Sequence, residues 1–398
     1  VNNDSAIPAS GPTGLRRTLK MRHMQMIALG GVIGAGLFVG SGVVIQATGP
    51  AAVLSFALTG ALVVLVMRML GEMAAAYPAV GGFYEYNRLA LGELAGFMTG
   101  WMYWYFWIIV VALEAVAGAK ILGGWYPGVP LWWFTLGLMT VFTLLNLLSV
   151  RSWGEAEYWF ASVKVLAITL FLVLGAVAIA GFTPGYAGGF ANLVQHGGFM
   201  PKGIVPVLTG AVAATGFYFG SEIVTLAAAE SAEPERAIAK ATQSVISRVL
   251  VFYVGSIFVV VTLVPWNSAG IVQPYVTALT SLHLPIAHAD TVIGTGMMVV
   301  ILTAVLSALN SGLFASSRMV MALALHGDAP AGLRALSGNG VPVRAILLST
   351  AFGYVAVVMS YVSPDHVFKF LVDSYGTVAI FVYLLIAVSE LRLRRRLE

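Results

Sequence analysis

The sequence predicts an all-α integral membrane protein: an inverted repeat of five plus five transmembrane helices, with the first and sixth helices discontinuous. Three observations carry this. Of the 398 residues, 59% are hydrophobic and only 10% charged, with mean hydropathy +0.90, whereas soluble domains hold about 25% charged residues. The chain contains ten apolar runs of helical length. Glycine interrupts two of them. The stretch GGVIGAGLFVGSG, residues 30–42, has six glycines in thirteen positions, and TGAVAATGFYFGSEIV, residues 209–224, sets Gly216 and Gly220 beside Glu222. Each glycine costs a helix about 1 kcal/mol relative to alanine. Irregular backbone at membrane depth survives only where it is buried in protein or lines a wet cavity, since lipid cannot hydrogen-bond the freed groups. One broken helix in each half places a binding site between the halves.

Composition also excludes several classes. The chain has no cysteine, so disulfides, thiolate zinc sites and iron–sulfur clusters are ruled out. The six histidines, at 23, 196, 283, 288, 326 and 366, show no metal-ligand spacing. No nucleophile–base pair or phosphate loop emerges, so an enzyme is not expected and no cofactor is called for. The net charge of +4 comes from basic residues in short loops and signals no nucleic-acid partner; the partner it implies is the lipid bilayer.

Residues 1–15 are polar, rich in Ser, Pro and Gly, and are expected to be a disordered tail. Arg16, Arg17, Lys20, Arg22 and His23 form a basic lead-in that reads as a topological anchor. The apolar segments follow at 24–48, 51–76, 94–122, 130–150, 157–181, 203–229, 244–266, 290–325, 343–362 and 366–391. The first continues without a small-residue cleavage site, so it reads as a span and not a removable signal. With residue 1 in the cytoplasm, 17 of the 21 Lys and Arg residues fall inside; Lys120, Lys202 and Lys369 lie at outer ends, and Lys164 lies within a span. That asymmetry predicts both ends in the cytoplasm, in a multi-pass protein of the cell membrane. The resulting organisation is a first repeat at 16–181, an extracellular connector at 182–202, a second repeat at 203–391, and a basic cytoplasmic end at 392–398.

Three stretches between spans stand out. YPAVGGFYEYNRLALGELAG, residues 77–96, is too polar to span and too apolar for a plain loop, and reads as an interfacial or re-entrant helix on the cytoplasmic side. ESAEPERAIAKATQS, residues 230–244, has helix-start chemistry with Pro234 early, or is a solvated connector. Residues 267–289 contain no Lys or Arg and are expected to fold over an outer vestibule.

A broken helix suits a small zwitterion. The N-terminal end of its second half presents unpaired N–H groups to a carboxylate; in the first segment these come from Gly34, Ala35 and Gly36, with Ile33 adjoining. In the sixth, carbonyls freed between Gly216 and Phe219 would accept from an ammonium. The bland alternative is that these glycines only allow close helix packing. Intramembrane ionisable residues are the next candidates. Glu114, in the third segment, would meet a substrate ammonium or a proton, or else be a structural carboxylate. Lys164, in the fifth and about two turns from the cytoplasmic end of that segment, would take up and release a proton, or snorkel to the inner interface. Glu222 reads as satisfying donors freed by the second break. Asn310 and Ser311 in the eighth segment and Asp373 in the tenth are lesser candidates against a role as interhelical glue, and the aromatics from Trp101 to Trp107 read as packing and interfacial belt.

These residues resemble a known family. GVIGAGLF after the lead Leu19, Lys20, Arg22, His23, the Gly220–Glu222 pair after an aromatic break, Lys164, and SRM followed by GDAP are similar to amino acid permeases of the amino acid/polyamine/organocation superfamily. Within it, MRML at 67–70, LNLLSV at 145–150, GFMPKG at 198–203, IVTLAAAES at 223–231, VFKFLVDS at 367–374 and LLIAVSELRLR at 384–394 look most like bacterial gamma-aminobutyrate permeases. The resemblance implies import of a small zwitterionic amino acid, with the proton as coupling ion. It implies a carboxylate site at Gly34, Ala35 and Gly36, carbonyls at Gly216 to Gly220, an aromatic gate at Phe217 and Phe219, and Lys164 where sodium-coupled relatives hold a cation. Such permeases usually have twelve spans; ten are counted here, and the further two lie outside the repeat core. An exchanger, or a permease for an α-amino acid, stays open as the alternative.

Overall fold

The computed structural model describes residues 18–30, 33–76, 81–183, 189–231, 238, 240, 249–284, 288–373 and 377–397. Among these, the chain is helical almost throughout. The first expected span is two pieces: α1 (Met21–Gly30) and, after the break, a π-turn at Gly36–Gly40 running into α2 (Ser41–Thr48). Then come α3 (Ala52–Ala76), α4 (Phe83–Leu91), α5 (Glu93–Trp125), α6 (Leu131–Leu148) and α7 (Val150–Ile179). The sixth span is α8 (Ile204–Tyr218) and α9 (Ile223–Ala227), parted by an extended Phe219 and by Gly220 at φ +126°, a conformation L side chains rarely adopt. The remainder is α10 (Ser256–Leu263) with a preceding π-helix (Val249–Gly255), α11 (Pro274–Thr280), α12 (Ala289–His326), α13 (Val343–Val362), α14 (Pro364–Asp373) and α15 (Val378–Leu397).

Among the described residues, seven helices are long and apolar enough to cross a membrane. The difference from ten has particular sources. The outer half of the first span and α3 run on as one stretch, Gly36–Ala74. Of the seventh span, expected over 244–266, residues 244–248 lie outside the described residues. The tenth, expected as one run over 366–391, is α14 and α15, with 374–376 between them also outside.

Helix ends follow local chemistry. The fifth span begins at Val150 and not at 157, because the Ser149 side chain accepts from the Ser152 amide at 3.0 Å and so starts a polar first two turns that hydropathy alone reads as loop. The long α12 stops at Gly327, whose left-handed backbone lets the Asp328 amide return to the Leu323 carbonyl at 2.9 Å.

The packing is a main core with α5 along α12, α1 along α7 and α3 along α8, and a smaller cluster where Met139 and Phe142 of α6 meet Val357 of α13. The helix α4 is buried between α5 and α15, with Phe83, Tyr84 and Tyr86 at most 1% exposed, which suits the re-entrant alternative better than a helix lying free on a surface. Its polar residues, which suggested the interface, are paired internally. Glu85 meets Arg88 and His326, and Asn87 donates to Thr99 at 2.9 Å and accepts from Ser389 at 2.6 Å. The stretch after α10 packs on the outer half of the first span, with the Tyr275 ring 5.1 Å from Phe38 and the Ile271 carbonyl where a Cβ on Gly42 would be. Of the 230–244 stretch, 232–237, 239 and 241–244 lie outside the described residues.

Candidate functional site

The two breaks face each other across a cavity of about 430 Å³, counted out to its mouth, lined by Gly34, Gly36, Gly216, Phe217 and Phe219 from the breaks. Glycine is required in the first break by contact. A Cβ on Gly36 would lie 2.6 Å from Phe217 Cδ1, and one on Gly40 would lie 2.7 Å from Phe217 Cζ, so the Phe217 ring rests on bare backbone. The third wall is α5, with Phe106, Trp107, Val110, Leu113 and Glu114, and Ala308 of α12 adds to it. Those five α5 positions are one helical stripe. Phe106 packs edge-on against Phe219 at 4.3 Å, so part of the aromatic cluster read as belt faces the cavity. Trp101 and Trp104 do not: their indoles donate to the Asp328 carbonyl and to Ser349.

The cavity wall sets aromatic and aliphatic side chains beside a nearly equal measure of exposed polar atoms, a mixture that can orient a small ligand. Glu114 is 6% exposed; its Oε1 lies 3.8 Å from the Cβ position of Gly34, and its Oε2 has no hydrogen-bond partner among the described residues. The Trp107 Nε1, beside the Tyr103 hydroxyl, has no well-formed hydrogen bond among the described residues. Buried polar atoms without partners are costly, about 1–3 kcal/mol each, and mark places where a ligand or water completes the bonding.

At the second break the Gly220 amide donates to both oxygens of Glu222, at 3.1 and 3.0 Å, and the Tyr103 hydroxyl donates to Oε1 at 3.1 Å. Glu222 is fully buried and does not line the cavity. Gly220 serves there through its amide and its backbone angle. Ile33 is 1% exposed within the core and Ala35 is half-buried; neither lines the cavity.

Lys164 lies about four turns into α7, deeper than expected because that helix starts earlier, and it is fully buried. Snorkelling is thereby excluded. Its Nζ donates to Ser307 Oγ at 2.8 Å, and Ser307 donates in turn to Glu157 Oε1 at 2.5 Å. Asn310, expected in the site, lies outside the cavity lining: its Nδ2 donates to Glu157 Oε2 at 3.2 Å and its Oδ1 accepts from Asn146 at 3.2 Å. The preference for a buried carboxylate decided its orientation. Ser311 is buried and its hydroxyl has no partner among the described residues, and the side chain of Asp373 lies outside them. Sequence reasoning missed Glu157, Ser307, Phe106 and Trp107. Glu157 had a signal, since it stands seven residues before Lys164 and so on the same face of α7.

Two broken helices around a partly open cavity, inside a bundle of apolar helices, define a multi-pass membrane transporter. The chain belongs to the amino acid permease family, whose sequence profile matches residues 23–398. It is 52% identical to the gamma-aminobutyric acid permease of Bacillus subtilis strain 168, over 97% of this chain and 81% of that one. It is 48% identical to the gamma-aminobutyric acid permease of Escherichia coli K12, over 98% and 83%. Among solved structures, the fold is that of MhsT in complex with L-phenylalanine, with TM-score 0.63 at 14% identity, covering 92% of this chain and 88% of that one.

Proposed function

We propose that the protein imports gamma-aminobutyrate across the cell membrane by proton symport and alternating access, with its N-terminal face in the cytoplasm. The observation that carries this reading is the cavity between the two breaks, with the free oxygen of Glu114 in its wall. In the mechanism, amides of Gly34 and Gly36 at the head of the outer half-helix bind the substrate carboxylate. Carbonyls of the second break and Glu114 take the ammonium. Phe217 and Phe219 cover the bound substrate. Lys164, buried next to the cavity wall, carries the proton whose release changes the balance between outward- and inward-open states. The similarity to the two gamma-aminobutyric acid permeases supports the substrate.

The test is uptake of labelled gamma-aminobutyrate into proteoliposomes with and without an inward proton gradient, with α-amino acids as competitors. Gradient-driven accumulation that α-amino acids do not suppress is expected, and Lys164→Ala should abolish the dependence on the gradient. Uptake only into vesicles preloaded with amino acid would overturn symport in favour of exchange. Suppression by α-amino acids would overturn the substrate assignment.

A further inference from the structure

Three buried ionisable groups meet where α5, α7 and α12 pack: Glu114, Glu157 and Lys164. Lys164 is within electrostatic reach of both carboxylates. The two carboxylates are not equivalent. Glu157 is fully buried and completely engaged: Ser307 donates to one oxygen and Asn310 to the other. Ser307 is oriented from both ends, because its oxygen accepts from Lys164 while its hydrogen goes to Glu157. Asn310 is fixed by Asn146 and by the Trp153 indole, which donates to its carbonyl at 3.2 Å. Trp153 is itself stacked on Phe314 at 3.8 Å between centroids. Among the described residues Glu114 has none of this support, and its Oε2 has no hydrogen-bond partner.

Resting on the proton-symport reading above, we propose that Glu157 is the counter-ion of Lys164 while the lysine carries its proton, acting through Ser307, and that this pairing keeps Glu114 available to the substrate ammonium. Two carboxylates and one ammonium leave one negative charge uncompensated in a low-dielectric site, and such a charge is costly unless something neutralises it. Because Glu157 is engaged by Ser307 and Asn310 and lies outside the cavity lining, the uncompensated charge falls on Glu114, which is part of that lining. A substrate ammonium or a proton then completes the site. Asn310, Asn146 and Trp153 are positioning residues: they fix Glu157 and never touch substrate. A site with Glu157 removed would be neutral in a different way. Lys164 would turn to Glu114, and the cavity would lose its attraction for a cationic group.

The test is a double-mutant cycle with two readouts, thermal midpoint in detergent and equilibrium binding of labelled gamma-aminobutyrate. The variants are Glu157→Gln, Lys164→Gln and both together. Each single variant is expected to lower the midpoint, with the double variant lowering it by clearly less than the sum, since removing one partner strands the other. Glu157→Gln is expected to weaken binding by about tenfold or more. The double variant should recover most of that loss while lacking gradient-driven accumulation. A merely structural Glu157 would not be rescued by removing the lysine. Additive midpoints would overturn the pairing, and unchanged affinity in Glu157→Gln would overturn its role in freeing Glu114. Were the native protein to bind no gamma-aminobutyrate, the substrate reading would be what failed, and the midpoints would still decide the pairing.

Discussion

Replacing Gly36 by alanine should both destabilise the protein and weaken substrate binding. The added Cβ lies 2.6 Å from Phe217 Cδ1, 2.9 Å from Cγ and 3.0 Å from Cβ. Carbon atoms pack at about 3.5–4.0 Å, so the ring or the helix must yield by about 1 Å. Retreat is limited, because Phe56 stacks on the ring at 6.3 Å and Gly40 meets its far edge. The remaining free direction is the cavity, which Phe217 already lines. Overpacking of this kind costs about 1–3 kcal/mol. If the displaced ring takes that cost from the bound state, affinity falls about 5- to 150-fold. Equilibrium binding of labelled gamma-aminobutyrate, with thermal midpoint measured alongside, reads both effects. Gly137→Ala serves as the control, since nothing lies within 4 Å of a Cβ there. The larger Gly36→Val should abolish binding. A folded Gly36→Ala protein with unchanged affinity would refute the backbone cradle.

Glu222→Ala should strand the Gly220 amide and the Tyr103 hydroxyl in the core, costing about 1–3 kcal/mol for each group; an unchanged thermal midpoint would remove Glu222 from its place at the break. Arg318 and Glu230 form a buried pair at 2.8 Å, 6% and 0% exposed, and the Glu230 carbonyl also accepts from the Leu19 amide at 3.0 Å. Arg318→Met should therefore cost about 3–5 kcal/mol, and adding Glu230→Met should return most of it; additive losses in unfolding midpoints would count against coupling. His23, near the N-terminal face, is fully buried, and burial holds its imidazole below the ordinary 6.5 despite the opposing pull of Glu155. The folded chain thus binds fewer protons at this site than the unfolded chain, so stability should fall as pH drops through 6.5. His23→Gln should flatten that part of the difference in midpoint between about pH 7.5 and about pH 5.5, and an identical slope in both proteins would refute it.

The sequence by itself determined the class, the positions of most helices and the two breaks. Hydropathy and glycine are local properties, and a bilayer punishes unpaired backbone so strongly that runs such as 343–362 and the interruption at Gly220 are legible residue by residue. Glu114 and Lys164 were legible for the same reason, as charges in apolar surroundings. Local pattern failed where a polar residue was satisfied by a distant partner. The helix α4 reads as interfacial or re-entrant because Asn87 cannot announce in sequence that Ser389, 302 positions away, will bond to it. The start of α7 was missed because a serine cap outweighed hydropathy. Asn310 is a lesser candidate for the site by sequence, and its bonds to Asn146 and Glu157 make it interhelical glue; nothing local signals that Glu157 lies 153 positions away across that bond. Only tertiary packing decides which faces meet, and thus which carboxylate is consumed by a lysine and which is left facing the cavity. That choice depends on desolvation and on the geometry of helix contacts, and neither is a property of any one segment.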